Sequence, residues 1–292
     1  MFQKRSISAM GLLLTSLWRA QHDQQTSSWS NVVFCEETGT AIPNVLHAII
    51  DPVLVRGKDV AVVGDVHGCL DELQQLIEEI RSATSQECCF VFCGDIINKG
   101  PYNKETLDYI RSLPHVAVVR GNHEDHVIKN ALQLRAHHKV KRKYDWVSSL
   151  TDDDINYLQN LPYTLRIPSL NCLIVHAGLN PFISLYHQSP WTMTKIRNIS
   201  GLDVGECITP TEIGNGQQWA SLWRGPEHVY FGHDARRGLQ RYEFATGLDT
   251  GCVYGKYLTA KLLTGSKQLF QIKAKHVYST PKQSRSENTV TW

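Results

Sequence analysis

Five short apolar runs in this chain each end within three residues of a glycine and of a histidine, carboxamide or carboxylate side chain, and that pattern limits the folds open to it. Val60-Ala61-Val62-Val63 runs into Gly64-Asp65-Val66-His67-Gly68, and Cys89-Phe90-Val91-Phe92-Cys93 into Gly94-Asp95. Val116-Ala117-Val118-Val119 runs into Arg120-Gly121-Asn122-His123-Glu124, Cys172-Leu173-Ile174-Val175 into His176-Ala177-Gly178, and His228-Val229-Tyr230-Phe231 into Gly232-His233-Asp234. Runs of four or five β-branched and aromatic residues are strand lengths. Between them Leu70, Leu73, Leu76, Ile77 and Ile80 recur at helical spacing behind Asp71 and Glu72, and residues 104–111 read as a second helix. Thr151 followed by three aspartates marks a helix start, with Leu161-Pro162 as its end. The rhythm of strand, glycine loop and helix describes an α/β protein whose sheet is covered by helices. In such folds ligands gather at the carboxyl ends of the strands.

Residues 180–216 read as long loops around one short helix at 192–199, and residues 258–263 and 269–277 as closing strands. At 292 residues, with 42% apolar and 20% charged side chains, the chain is neither a disordered nor a collagenous sequence. We expect one domain over residues 32–280, preceded by a targeting peptide and linker at 1–31 and followed by a polar tail at 281–292. No apolar run near the start approaches the ~20 residues of a spanning helix. The first 22 residues carry Lys4, Arg5 and Arg19 and no acid, while the whole chain is only +2, so the remainder is slightly acidic. A basic, acid-free, Ser-bearing and amphipathic start predicts mitochondrial import; a secretory signal and an untargeted cytoplasmic tail are the alternatives. None of the eight cysteines forms a C-x2-C pair, so no thiol-type structural zinc site is expected, and reduced cysteines are the simpler reading.

A charged or amide side chain closing an apolar strand is costly without a partner. Six such groups would meet on one rim: Asp65, His67, Asp95, Asn122, His176 and His233. Three oxygen donors and three imidazoles suit Mn, Fe or Zn, and six ligands suit two ions about 3.5 Å apart bridged by one carboxylate.

With these residues in view, GDVHG at 64–68, GDIINKG at 94–100, GNHE at 121–124, HAG at 176–178 and GHD at 232–234 resemble the phosphoprotein phosphatase superfamily of calcineurin-like metallophosphoesterases. RGNHED at 120–125, HAGLNP at 176–181 and LDTGCVYGKYLTA at 248–260 are most similar to its ApaH-like phosphatases, relatives of bacterial diadenosine tetraphosphatase. The resemblance implies a four-layer αββα fold, a β-sandwich flanked by helices, over roughly residues 55–265. It implies Asp65 and His67 on the first metal, Asp95 as the bridge, and Asn122, His176 and His233 on the second. His123 would be the general acid, oriented by Asp95. Two divalent ions (Mn, Fe, Zn or Mg, with Mn the expected activator) would acidify a water for in-line attack on phosphorus.

The expected reaction is hydrolysis of phosphoanhydride bonds in nucleotidyl polyphosphates, either dinucleoside tetraphosphates or capped RNA 5′ ends. An RNA phosphodiesterase and a protein serine/threonine phosphatase are the alternatives. The last is disfavoured by Lys99, which stands where those enzymes usually carry an arginine; a lysine keeps the charge but not the bidentate fork. Lys99, Arg120, Arg197, Arg224 and Arg236 are candidate phosphate ligands, Lys99 and Arg224 foremost. From residue 127 to 144 the chain carries Lys129, Arg135, Lys139, Lys141, Arg142 and Lys143 and no acid. That stretch is either a solvated helix face or a platform for RNA. No protein partner is implied.

Overall fold

Period-two alternation in the predicted strands sorts their side chains into two separate cores. The computed structural model describes residues 34–84, 87–201, 209–212 and 216–281. Its elements run β1 (Phe34–Cys35), β2 (Thr40–Ala41), β3 (His47–Ile49), α1 (Pro52–Val55), β4 (Asp59–Val63), α2 (Leu70–Ala83), β5 (Cys88–Phe92), α3 (Asn103–Ser112), β6 (Val116–Val118) and α4 (Asn122–Arg135). There follow α5 (Asp152–Asn160), β7 (Thr164–Ile167), β8 (Cys172–Val175), α6 (Pro190–Lys195), β9 (Asn198–Ser200), β10 (Thr209–Thr211), β11 (Gln217–Gln218) and α7 (Trp219–Leu222). The last strands are β12 (His228–Phe231), β13 (Gln240–Arg241), β14 (Ala245–Gly247), β15 (Tyr257–Leu262) and β16 (Leu269–Lys273).

One sheet has the order β16-β15-β4-β5-β6 and a second the order β13-β14-β12-β8-β7-β3. Strands β4, β5 and β6 are parallel, as are β8, β12 and β14, so their carboxyl ends lie together within each sheet. Val60, Val62, Cys89, Val91 and Cys93 pack across to Leu165, Ile167, Cys172 and Ile174 of the second sheet, forming the sandwich core. The alternate residues Ala61, Val63, Phe90 and Phe92 face the other way, against Leu73, Leu76, Ile77 and Ile80 of α2, Leu107 and Ile110 of α3, and Val127, Ile128 and Ala131 of α4. Each such side chain contributes about 1.5–3 kcal/mol when fully buried. On the far side of the second sheet, Leu173, Val175, Val229 and Phe231 pack on Met193, Ile196 and Trp219. Helices, sheet, sheet and a thinner outer layer make the expected four-layer α/β sandwich.

Two local expectations are corrected. The helix placed at 192–199 is α6 at Pro190–Lys195, because Ser189 accepts the Thr192 N–H and Pro190 opens the first turn; residues 198–200 instead form β9, paired with β10 and β11. The last strand ends at Lys273, not 277, since Lys275 N–H turns away to donate to Glu72 at 2.8 Å and Tyr278 N–H to the Val253 carbonyl. The expected helix start at Thr151 is present, with Thr151 and Asp154 capping each other. The cysteines among the described residues are free and buried, and Cys207 lies outside them. No helix among the described residues is long and apolar enough to cross a membrane. The segment at 1–31 expected to be a targeting peptide and linker, and most of the tail at 281–292, lie outside the described residues.

Candidate metal centre

The loops leaving β4, β5, β6, β8 and β12 deliver all six expected ligands to one rim, where Asp65, His67, Asp95, Asn122, His176 and His233 are each buried. Delivery requires unusual backbone. His67, Asp95, Asn98, Lys99 and His233 all adopt positive φ, between 50° and 77°, although none is glycine. Such conformations cost of order 1–3 kcal/mol each and cluster where function demands them. Gly232 is required by close approach, since a Cβ there would lie 2.0 Å from Asp65 Oδ1.

Two triads share Asp95: Asp65, Asp95 and His176, and His67, Asp95 and His123, each with its ligand-type atoms within 4.8 Å of one another. His67 Nε2 is 3.7 Å from Asp65 Oδ2 and 3.6 Å from Asp95 Oδ2. Asn122 Oδ1 lies 2.9 Å from His176 Nε2 and 3.1 Å from His233 Nδ1. The hydrogen bonding tests whether these groups fit metal ions. His176 Nδ1–H donates to the Cys93 carbonyl at 2.8 Å, leaving a lone pair on Nε2. That lone pair faces only acceptor oxygens, Asn122 Oδ1 and Asp95 Oδ1, the latter at 3.4 Å. Lone pair against lone pair is repulsive unless a cation lies among them, and backbone anchoring of the second ring nitrogen is the usual support of a metal-bound histidine.

Electrostatics agree. Burial, then Asp249 and Asp95, raise the Asp65 carboxyl well above the usual carboxylate range. Burial pushes Asp95 up to about 7 and His176 down to about 4. His67 and His233 are held well below the usual imidazole value, by burial first and then by Lys99 and Arg197 respectively. Crowded carboxylates and neutral imidazoles form a site in need of positive charge. Lys99 Nζ supplies one, donating to His67 Nε2 at 2.9 Å.

Three residues without an assigned role in the sequence reading complete the site. Glu124 accepts from the N–H groups of Asp95, Ile96 and Gly121 at 2.8–3.0 Å, holding the bridge loop on the start of α4. Asp249, buried at the end of β14, lies in the same basin. Asn98 Nδ2 donates to His123 Nδ1 at 2.8 Å, so the ring of His123 is oriented by Asn98 and not by Asp95. Asp95 touches that residue chiefly through its backbone, accepting the His123 N–H at 2.9 Å, and its Oδ2 stays 3.9 Å from Nε2.

Five of the six ligands, all but the fully buried His176, floor a basin of about 970 Å³. Lys99, Arg197 and Arg236 line it, but Arg197 is already engaged by Asp234, Glu212 and the His233 carbonyl. Arg120 does not face it. That side chain is fully buried, bonded to the Ala41 carbonyl at 2.9 Å and paired with Asp125 at 2.6 Å, which removes it from the phosphate ligands. Arg224 is exposed, bonds the Ser221 carbonyl and is absent from the lining, so the preference for it is also corrected. Of the basic stretch, Lys129, Lys139, Lys141 and Lys143 line the basin beside Tyr144 and Trp146. Arg135 pairs with Asp152 instead, and Arg142 is not in the lining.

Residues 58–256 match the family described as calcineurin-like phosphoesterase. The chain is 30% identical over 257 residues to the symmetrical bis(5′-nucleosyl)-tetraphosphatase of Marinomonas sp. (strain MWYL1), covering 68% of this chain and 91% of that protein. It is 35% identical over 191 residues to the protein of the same description from Psychromonas ingrahamii, covering 63% of this chain and 62% of the relative. A crystal structure of a protein assigned as a diadenosine tetraphosphatase superposes with a TM-score of 0.68 at 33% identity, over 79% of this chain and 98% of that one.

Proposed function

The chain belongs to the calcineurin-like phosphoesterases, and from that premise we propose that this metal-dependent phosphohydrolase cleaves phosphoanhydride bonds in nucleotidyl polyphosphates. The substrates are a dinucleoside tetraphosphate or the polyphosphate bridge of a capped RNA 5′ end. One observation carries the reading: four lysines, 129, 139, 141 and 143, rise from the same basin whose floor holds the metal ligands. A phosphomonoester needs no such wall, whereas a chain of phosphates with a nucleoside at each end extends beyond the reacting phosphorus. The named activity of the relatives points the same way.

Asp65, His67 and Asp95 would hold one ion, and Asp95, Asn122, His176 and His233 the other, with Mn²⁺ as the proposed activator. Bound there, the ions supply Lewis acidity that lowers the pKa of water and neutralises phosphoryl charge. Lys99 and Arg236 attract the phosphate oxygens, Lys99 from the tip of the bridge loop, where its ammonium lies 5.3 Å from the centre of the Tyr254 ring. His123, only 16% exposed in its side chain, protonates the leaving oxygen. Asn122 coordinates through a neutral amide, which keeps the basin attractive to anions.

The test is product analysis with Mn²⁺ on a dinucleoside tetraphosphate, capped RNA, uncapped single-stranded RNA and a phosphopeptide. Cleavage within the polyphosphate of the first two, with little attack on the others, is expected. Internal RNA cleavage would favour a phosphodiesterase, and phosphopeptide turnover a protein phosphatase. We also place the protein in mitochondria on its basic, acid-free start; a reporter fused to residues 1–30 that stays cytosolic would overturn that assignment.

A further inference from the structure

Beneath the catalytic basin lies a second cluster of metal-type donors that the phosphohydrolase reaction does not use. Cys69 stands at the N-cap of α2, Glu72 is the third residue of that helix, and Cys252 opens the short turn Cys252–Tyr254 after β14. Their Sγ and carboxylate atoms lie within 4.8 Å of one another, and the three residues are 0%, 0% and 1% exposed. Glu72 has two unlike oxygens. Oε1 accepts from the Lys275 N–H and the Tyr278 hydroxyl, both at 2.8 Å. Oε2 is buried with no hydrogen-bond partner. An unpaired carboxylate oxygen in a dry interior is among the most costly groups a fold can hold.

We propose that Cys69, Glu72 and Cys252 bind a thiophilic divalent ion of the zinc class, separate from the catalytic pair. Thiolate and carboxylate are both zinc ligands, a three-ligand set leaves the fourth tetrahedral position to a water, and zinc holds sulfur ligands at about 2.3 Å, which puts ligand atoms about 3.5–3.8 Å from one another. The present spacing needs only a small contraction to reach that geometry. Binding breaks two S–H bonds and forms two S–metal bonds and one O–metal bond. Both protons leave to solvent, and the ion takes Oε2 as its oxygen donor, giving that atom a partner. The excess negative charge that results lies at the positive end of the 14-residue helix α2, where it is favoured.

Such an ion would be a positioning site. Cys69 is two residues from His67 and Cys252 three from Asp249, so one ion ties the loop after β4 to the loop after β14. Through Glu72 it also reaches the C-terminal segment at Lys275 and Tyr278. A redox-poised pair is the less fitting account, because a disulfide between the two sulfurs would leave the buried Glu72 Oε2 without a partner.

Cobalt(II) loading of the reduced full-length protein tests this directly. The proposed catalytic donors are all oxygen and nitrogen, so thiolate-to-cobalt charge transfer in the near ultraviolet reports only on cysteine ligation. The wild type should show that band, and Asp95→Asn should keep it, which separates this site from the fate of the catalytic pair. Cys69→Ser and Cys252→Ser should each lose the band, and each should lower zinc content by about one ion per chain. Should either serine variant fail to fold, Glu72→Gln decides. It retains the bonds to Lys275 and Tyr278, and it should weaken zinc binding at least about tenfold, the lower end of what even an outer partner of a metal ligand contributes. No band in the wild type, a band persisting in both serine variants, unchanged zinc affinity in Glu72→Gln, or recovery of Cys69 and Cys252 as a disulfide would each overturn the proposal.

Discussion

The amide of Asn98 donates to Nδ1 of His123 at 2.8 Å, and its orientation is fixed because its own oxygen accepts the Lys99 N–H at 3.0 Å. A donor at Nδ1 places the ring proton on Nε2 and opposes protonation of the ring. Burial, followed by Lys99 and His67, also holds His123 well below the usual imidazole value. If His123 is the proton donor, His123→Ala loses roughly 10²–10⁴ in rate on a poor leaving group, and much less on an activated aryl phosphate. Equal losses on both would assign His123 another role.

Replacing that donor with an acceptor gives a signed pH test. In Asn98→Asp a carboxylate faces Nδ1, favours the imidazolium and raises its pKa. The rate on poor leaving groups declines as the imidazolium loses its proton, so this decline should move to higher pH in Asn98→Asp. A pH–rate profile that is unmoved, or moves to lower pH, contradicts the assignment of Asn98 as the orienting partner.

The four basin lysines predict substrate discrimination. Changing Lys129, Lys139, Lys141 and Lys143 to Gln leaves every proposed metal ligand intact. Hydrolysis of a free dinucleoside tetraphosphate should fall less, because its phosphate chain is short and reaches only part of the wall. Capped RNA should lose kcat/KM, and its salt dependence should flatten by about one unit of slope for each phosphate contact removed. Arg135→Gln with Arg142→Gln is the control, because neither residue lines the basin, and both substrates should be spared. Equal losses on the two substrates in the lysine variant would remove the RNA reading of the wall.

Arg120 predicts a stability effect in place of a kinetic one. Its buried guanidinium pairs with Asp125, which also accepts the Thr40 hydroxyl at 2.9 Å. Arg120→Met leaves Asp125 without its countercharge and should destabilise the fold by about 3–5 kcal/mol, the usual cost of breaking a buried pair from one side. Denaturant melts measure it. At a temperature where the variant is folded, KM for a polyphosphate substrate should be unchanged, and a raised KM would return Arg120 to the substrate.

These residues also mark what a sequence can disclose. Asp65, Asp95, Asn122, His176 and His233 were legible because each follows an apolar run that only a buried strand explains, and a polar group at such an end needs a purpose. Asp249 obeys the same rule at the end of β14, but Ala245-Thr246-Gly247 is too short and too polar to announce a strand. Asn98 sits inside a loop, where a polar residue needs no explanation, and only its left-handed backbone beside Lys99 sets it apart. Arg120 and Lys129 are alike as sequence, since charge does not reveal its partner. Folding sends one to Asp125 in the interior and the other to the basin. A sheet covered by helices was legible from the alternating periods and the αββα layering only from the family resemblance, whereas the end of α6 at Lys195 and the pairing of β9 depended on tertiary strand partners.

The central claim is a two-ion hydrolytic centre bridged by Asp95, the only residue common to both catalytic triads. Turnover of a dinucleoside tetraphosphate by metal-saturated Asp95→Asn, beside wild type under the same conditions, tests it most directly. The amide keeps the shape of the side chain but removes the charge that two cations share, so the account predicts a folded protein with no measurable turnover. Hydrolysis near the wild-type rate by that variant would contradict the bridged centre.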